Sequence, residues 1–142
     1  MPGADLPTLG RSFARLRARW ARQGLRVRQL TAEADKIAKA RGIRHLPGPR
    51  RQTAALEVIR DEVGYHSAWA KWSATADELA NLVARILSQS ARTVPELAVK
   101  FDALLWLLLS DGAVVDHESE LQARRFGREL RRMASAQSNS AS

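Results

Sequence analysis

Residues 9–37 read LGRSFARLRARWARQGLRVRQLTAEADKI. Apolar side chains return at Leu9, Phe13, Leu16, Trp20, Val27, Leu30, Ala34 and Ile37, with Gln23 at the one polar position of the series. The steps alternate four and three, the spacing of a heptad seam, so one face of a helix is apolar. A single helix is predicted over about 8–41, roughly 50 Å long at 1.5 Å per residue. Gly24 costs about 1 kcal/mol against alanine inside it and is a place for a bend. Gly42 stands where a C-terminal stop glycine belongs, and residues 1–7 are a short lead-in.

Working outward, residues 43–51 (IRHLPGPRR) hold two prolines and a glycine. They form a linker long enough to reverse the chain. A second seam follows at Val58, Glu62, Tyr65, Trp69, Trp72, Ala76, Leu79, Val83 and Ile86, widened by Leu56, Ile59, Val63 and Leu82. It predicts one helix over about 53–89. A competing reading breaks that helix near Ser73, where Thr75 and Glu78 fit a capping box, and Gly64 is a further weak point. The phase runs through Thr75 without a slip, which favours continuity. The two rods form a long antiparallel hairpin, with Trp20 meeting the belt of Tyr65, Trp69 and Trp72 or capping one end of it.

Thr93, Val94, Pro95 and Glu96 make a helix start, with proline harmless in the first turn. That third helix is expected over 94–110, stopping at Asp111-Gly112. Asp116 caps a fourth over about 117–134, with acidic residues in its first turn and arginines in its last. Residues 135–142 (SAQSNSAS) have nothing to bury and are expected to be disordered. The fold class is therefore all-α: a hairpin plus two helices completing one bundle domain over 8–134.

Composition agrees. Alanine occurs 24 times and leucine 18 times, while β-branched residues are sparse, which favours helix. No cysteine is present, which excludes disulfides, thiolate metal sites and cysteine nucleophiles. The longest apolar run, 103–109 (ALLWLLL), is far short of the ~20 residues that span a bilayer. No apolar leader follows the first residues, and a cytoplasmic protein without membrane association is expected.

Charge is uneven. Residues 1–51 carry a net +10 and residues 52–142 a net −2. Arg11, Arg15, Arg19, Arg22 and Arg26 fall within about 80° of one another on the first helix and extend over about 22 Å. No carboxylate lies between Leu6 and Ala32. Five guanidiniums in a row can track a nucleic-acid backbone without reading its sequence. They can equally be a solvated face, or a face that meets this chain's own acidic half. The arginine excess (19 against 4 lysines) is also what GC-rich coding produces. A second basic cluster, Arg124, Arg125, Arg128, Arg131 and Arg132, serves the end of the last helix.

On the third helix Leu97, Phe101, Leu104, Leu105 and Leu108 make a buried stripe. Trp106 and Leu109 fall on another face, so this helix is either central or covered by a partner. Trp106 and Leu109 are the candidate interface residues. His66 reads as a packed core histidine, and His117 lacks the second histidine of a zinc helix. Asp111, Asp116, Glu118 and Glu120 do not follow a calcium-loop spacing. No phosphate loop, nucleophile elbow or paired carboxylates can be assembled, so neither catalytic residues nor a cofactor are expected. A helix-turn-helix across the third and fourth helices is disfavoured by the length of the connection 110–115.

Residues 84–109 (ARILSQSARTVPELAVKFDALLWLLL) and 125–134 (RFGRELRRMA) resemble small helical proteins of alphaproteobacteria. In those, a helix ends at a phrase of the Ala-Arg-Thr kind and a Leu-Ala-x-Lys helix follows. An aliphatic stretch and an Arg-Glu-Leu helix then close the chain. The matching positions are Ala91, Arg92, Thr93, Leu97, Ala98 and Lys100. The resemblance covers about a third of the chain and excludes the Arg-rich first helix. It implies a bacterial cytoplasmic protein of prophage or mobile-element origin, and no site residues. The residues themselves point first to a non-enzymatic helical-bundle or coiled-coil protein that acts through protein contacts as a homo-oligomer. The alternative is a sequence-nonspecific nucleic-acid-binding protein using the arginine row.

Overall fold

The computed structural model describes residues 4–110 and 116–140, and every long element in it is helical. In order these are α1 (Leu6–Ala40), a 3-10 turn (Ile43–His45), α2 (Pro49–Val63), α3 (Tyr65–Ser88), α4 (Val94–Ser110) and α5 (His117–Ser140). The chain is all-α, with no strand among the described residues. It packs as two compact units. One is Met1–Arg15 with Glu78–Ser142, the other Leu16–Asp77.

In the first unit the start of α1 and the end of α3 meet α4 and α5. The core is Leu6, Leu9 and Phe13 from α1, Leu79, Leu82, Val83 and Ile86 from α3, Ala98, Ala103 and Trp106 from α4, and Leu130 from α5. Two glycines let helices approach closely. A Cβ at Gly10 would lie 2.7 Å from Val99 Cγ2, and one at Gly127 would lie 3.0 Å from the Phe101 ring. The Gln89 amide donates to the Ala4 carbonyl at 3.0 Å, and Lys100 Nζ donates to the Gln89 carbonyl. The connection 111–115, with the expected stop at Asp111-Gly112, lies outside the described residues.

In the second unit α1 contributes Val27, Leu30 and Ala34 to the core, opposite Ile59 of α2 and Thr75 of α3. Trp20 and Trp72 stack at 6.1 Å between ring centroids. Gly24 serves that packing, since a Cβ there would lie 3.0 Å from the Trp72 indole nitrogen. The helix passes through Gly24 uninterrupted. Gly42 at φ 67° ends α1, and the Gln52 amide then pins the reversing turn by donating to the carbonyls of Arg44 and Leu46.

The second rod departs from expectation at Gly64. This residue sits at φ 82° and ψ 22°, and its N–H donates back to the carbonyls of Arg60 and Asp61, which closes α2. Glycine adopts this left-handed geometry without the penalty a Cβ imposes. The helix therefore breaks at Gly64 and runs unbroken through Ser73 and Thr75. Thr75 is buried within α3, its hydroxyl donating to the Lys71 carbonyl at 3.1 Å. The break resets the helical phase. Before it the buried side is Leu56, Ile59 and Val63; after it, Ala68, Trp72, Thr75 and Leu79. Val58 and Trp69, both assigned to the seam from sequence, are 56% and 48% exposed.

His66 differs too. It is exposed, with Nε2 2.8 Å from Glu57 and 3.5 Å from Asp61, and so ties the first turn of α3 to α2. Arg60 pairs with Glu57 at 2.9 Å and lies 5.2 Å from the Tyr65 ring centre, strapping the same break. At the other end of the chain α5 continues to Ser140, whereas the sequence reading ends it at 134 and expects disorder beyond. Ala136 and Gln137 are good helix formers there, the serines and Asn139 weaker ones, and the Ser140 hydroxyl donates to the Ala136 carbonyl at 2.9 Å in a helix that has already nucleated.

Candidate interaction surfaces

Two surfaces remain after the cores are assigned, one charged and one apolar. The charged one is carried by α1. Arg11, Arg15, Arg19, Arg22 and Arg26 are all exposed. The first two lie in the part of α1 that belongs to the first unit and the other three in the part that belongs to the second. Arg11 donates to the Thr8 hydroxyl at 3.1 Å, and Arg15 reaches the Ser12 hydroxyl at 3.5 Å. Among the described residues none of the five makes an ion pair. At the start of the row Arg11 acts on the carboxylate of this chain's own Asp5 and helps hold it ionised. In the second unit Arg26 also lines a cavity of about 320 Å³ together with Lys71, Gln23 and Ser67.

The apolar surface reverses the expectation for α4. Leu97, Leu104 and Leu108, expected to be buried, are 49%, 40% and 45% exposed. Trp106, expected at an interface, is a core residue at 9% exposure, and Leu109 is half-buried. The helix turns the side carrying Ala98, Ala103 and Trp106 inward. Small residues there admit a close neighbour, and the one large ring fills the space between helices. The aliphatic side that remains faces solvent.

Helix α5 packs against α4 beside this exposed row. Phe101 rests on Gly127, and its ring meets Phe126 edge-on at 5.1 Å between centroids. Phe126 is itself 53% exposed, and Met133, two turns further along the same face, is 59% exposed. The terminal basic cluster is divided. Arg124 pairs with Glu120 at 2.8 Å and Arg131 donates to the Gly127 carbonyl, while Arg125, Arg128 and Arg132 are exposed without an ion pair among the described residues.

Two exposed carboxylates are structural. Asp116 accepts from the Ser119 N–H at 2.8 Å and from its hydroxyl, which holds its pKa below the ordinary carboxylate range. Asp5 is held low in the same way by the hydroxyl and N–H of Thr8. Both cap helix starts.

Among the described residues no helix is long and apolar enough to cross a membrane, and no group of three or more His, Asp or Glu side chains could hold a metal ion. No protein-family model, curated protein or solved structure matches the chain.

Proposed function

We propose that this chain is a non-enzymatic helical protein that acts by contact with protein, through the exposed leucine row of α4. The carrying observation is that Leu97, Leu104 and Leu108 lie open on a helix whose other side is already packed. Large aliphatic side chains grouped on one face lose free energy to water that a partner surface recovers, at about 25 cal/mol per Å² covered. The reading keeps the protein in the bacterial cytoplasm, as the alphaproteobacterial resemblance implies. A photo-activated cross-linking residue placed at Leu104 in living cells is expected to give a discrete adduct of higher mass. The same residue at the exposed Ala80 is expected to give none. Failure to cross-link at Leu104 overturns the reading.

A second reading is favoured by a separate observation, the exposure of all five α1 arginines. In it the row lies along a nucleic-acid backbone and neutralises phosphates without reading bases. Arg15→Glu with Arg22→Glu is expected to abolish retardation of DNA and RNA in a gel at low salt. Unchanged nucleic-acid mobility with the unaltered protein removes this reading.

A further inference from the structure

We infer that the exposed row of α4 is the seam of a two-fold symmetric dimer of this chain, with α4 of one copy antiparallel to α4 of the other. The inference rests on the protein-contact reading and names the partner.

The spacing is the first support. Leu97, Phe101, Leu104 and Leu108 are separated by four, three and four residues, which keeps them in line along one side of a helix. What fits such a line is another helix with the same periodicity. The row is symmetric about the point between Asp102 and Ala103. An antiparallel copy therefore sets Leu97 against Leu108 of its partner, as a self-complementary two-fold interface requires, and brings Leu104 to the uncovered edge of Phe101, whose ring otherwise rests on α5 of its own chain.

Charge is the second support. The charged residues of α4 are Glu96, Lys100 and Asp102, and the ammonium of Lys100 is held by the Gln89 carbonyl of its own chain. On α4 itself no rim of one sign borders the row, whereas the neighbouring α5 carries the exposed Arg125, Arg128 and Arg132. The rest of the chain is strongly basic, with a net +8 overall. Two copies repel each other through that net charge, and salt screens the repulsion while leaving the apolar seam intact. Self-association is therefore expected to tighten as salt rises.

Size is the third. The exposed parts of Leu97, Leu104, Leu108, Phe126 and Met133 amount to on the order of 500 Å², at the upper end for a patch on an ordinary monomer and below the ~800 Å² a partner gives to a standard interface. A dimer of that size is weak, so monomer and dimer exchange with concentration.

The test is the mass of the full chain in solution. Light scattering over a concentration series is expected to rise from 15.8 kDa towards twice that value, with the midpoint at micromolar concentration and lower at higher salt. Leu104→Glu is expected to weaken association at least tenfold with an unchanged helical circular dichroism spectrum, and Ala80→Glu to leave it unaltered. A constant monomer mass up to millimolar concentration overturns the dimer.

Thiol labelling of Leu104→Cys in that monomer separates the two ideas, since the natural chain has no cysteine. Rapid labelling leaves the protein-contact reading standing with a different partner, and protection overturns that reading as well. For the geometry, an oxidised mixture of Leu97→Cys and Leu108→Cys chains is expected to form the mixed disulfide in preference to either homodimer. Preferential self-linking of Leu97→Cys overturns the antiparallel arrangement.

Discussion

A glycine inside a helix is a cost unless its missing side chain is used, and at Gly24 it is used. Alanine there would gain up to about 1 kcal/mol of helix propensity. Its Cβ would stand 3.0 Å from the indole nitrogen of Trp72, a large ring already stacked on Trp20. Overpacking of this kind costs about 1–3 kcal/mol, so Gly24→Ala is expected to lower the urea midpoint despite the better helix former. Gly64→Ala tests a different cause. No atom lies within 4 Å of a Cβ at Gly64, so the expected loss is only the left-handed backbone penalty of about 1–2 kcal/mol. Trp106 gives a third contrast. As a core residue its replacement by alanine is expected to cost about 3–5 kcal/mol. Loss of the folded signal in a denaturant titration, not loss of an oligomer, is the readout.

At the scale of elements, the two aspartate caps make stability depend on acid. Asp5 and Asp116 are held in the ionised form by the hydrogen bonds they accept in the folded chain. Their folded pKa values lie below the unfolded ones. The contribution is therefore complete above the unfolded value, about 3.9, and is lost as pH falls through the lower folded values. The amide resonances of Thr8 and Ser119 are expected to shift together with fraying of the α1 and α5 starts below about pH 4, and to stay constant from pH 5 to 7. Asp116→Asn is expected to remove the pH response of Ser119 while leaving that of Thr8.

The Asp116 cap was legible in the sequence because capping is local chemistry, whereas the Asp5 cap, inside what read as a lead-in, was not; the α1 seam was legible because Leu9, Phe13, Val27, Leu30 and Ala34 repeat against a polar background. The break at Gly64 was not legible. Heptad spacing can be traced straight through it by taking Val58 and Trp69 as seam residues, and only the positive φ of Gly64 shows that Ile59 and Val63 carry the buried side. Nor was the facing of α4 legible. A helix that is apolar nearly all round offers no polar side to exclude, and the choice fell to shape. Ala98 and Ala103 admit a neighbour where Leu97 and Leu104 would hold it off. The exposure of the arginine row could be read from its phase.

For the molecule as a whole, the two surfaces should respond to salt with opposite sign, and that makes them separable in one preparation. Phosphate binding by the α1 row releases condensed counterions. Each neutralised phosphate contributes about −0.9 to the slope of log affinity against log salt on duplex DNA. With all five arginines engaged the slope is about −4.5, so affinity is expected to fall roughly 500-fold between 50 and 200 mM salt. The slope also reports which arginines take part. Replacing Arg19, Arg22 and Arg26 with glutamine is expected to reduce its magnitude by about 2.7, and replacing Arg11 and Arg15 by about 1.8. Those figures hold only if the row acts along its whole length, through the part of α1 in each compact unit. If only the Arg19, Arg22 and Arg26 replacements lower the slope, binding is confined to the Leu16–Asp77 unit, where Arg26 borders a cavity with Lys71. A slope left unaltered by both sets removes the arginine row from nucleic-acid binding. The apolar seam of α4 is unaffected by that result, since nothing in its chemistry depends on the guanidinium groups.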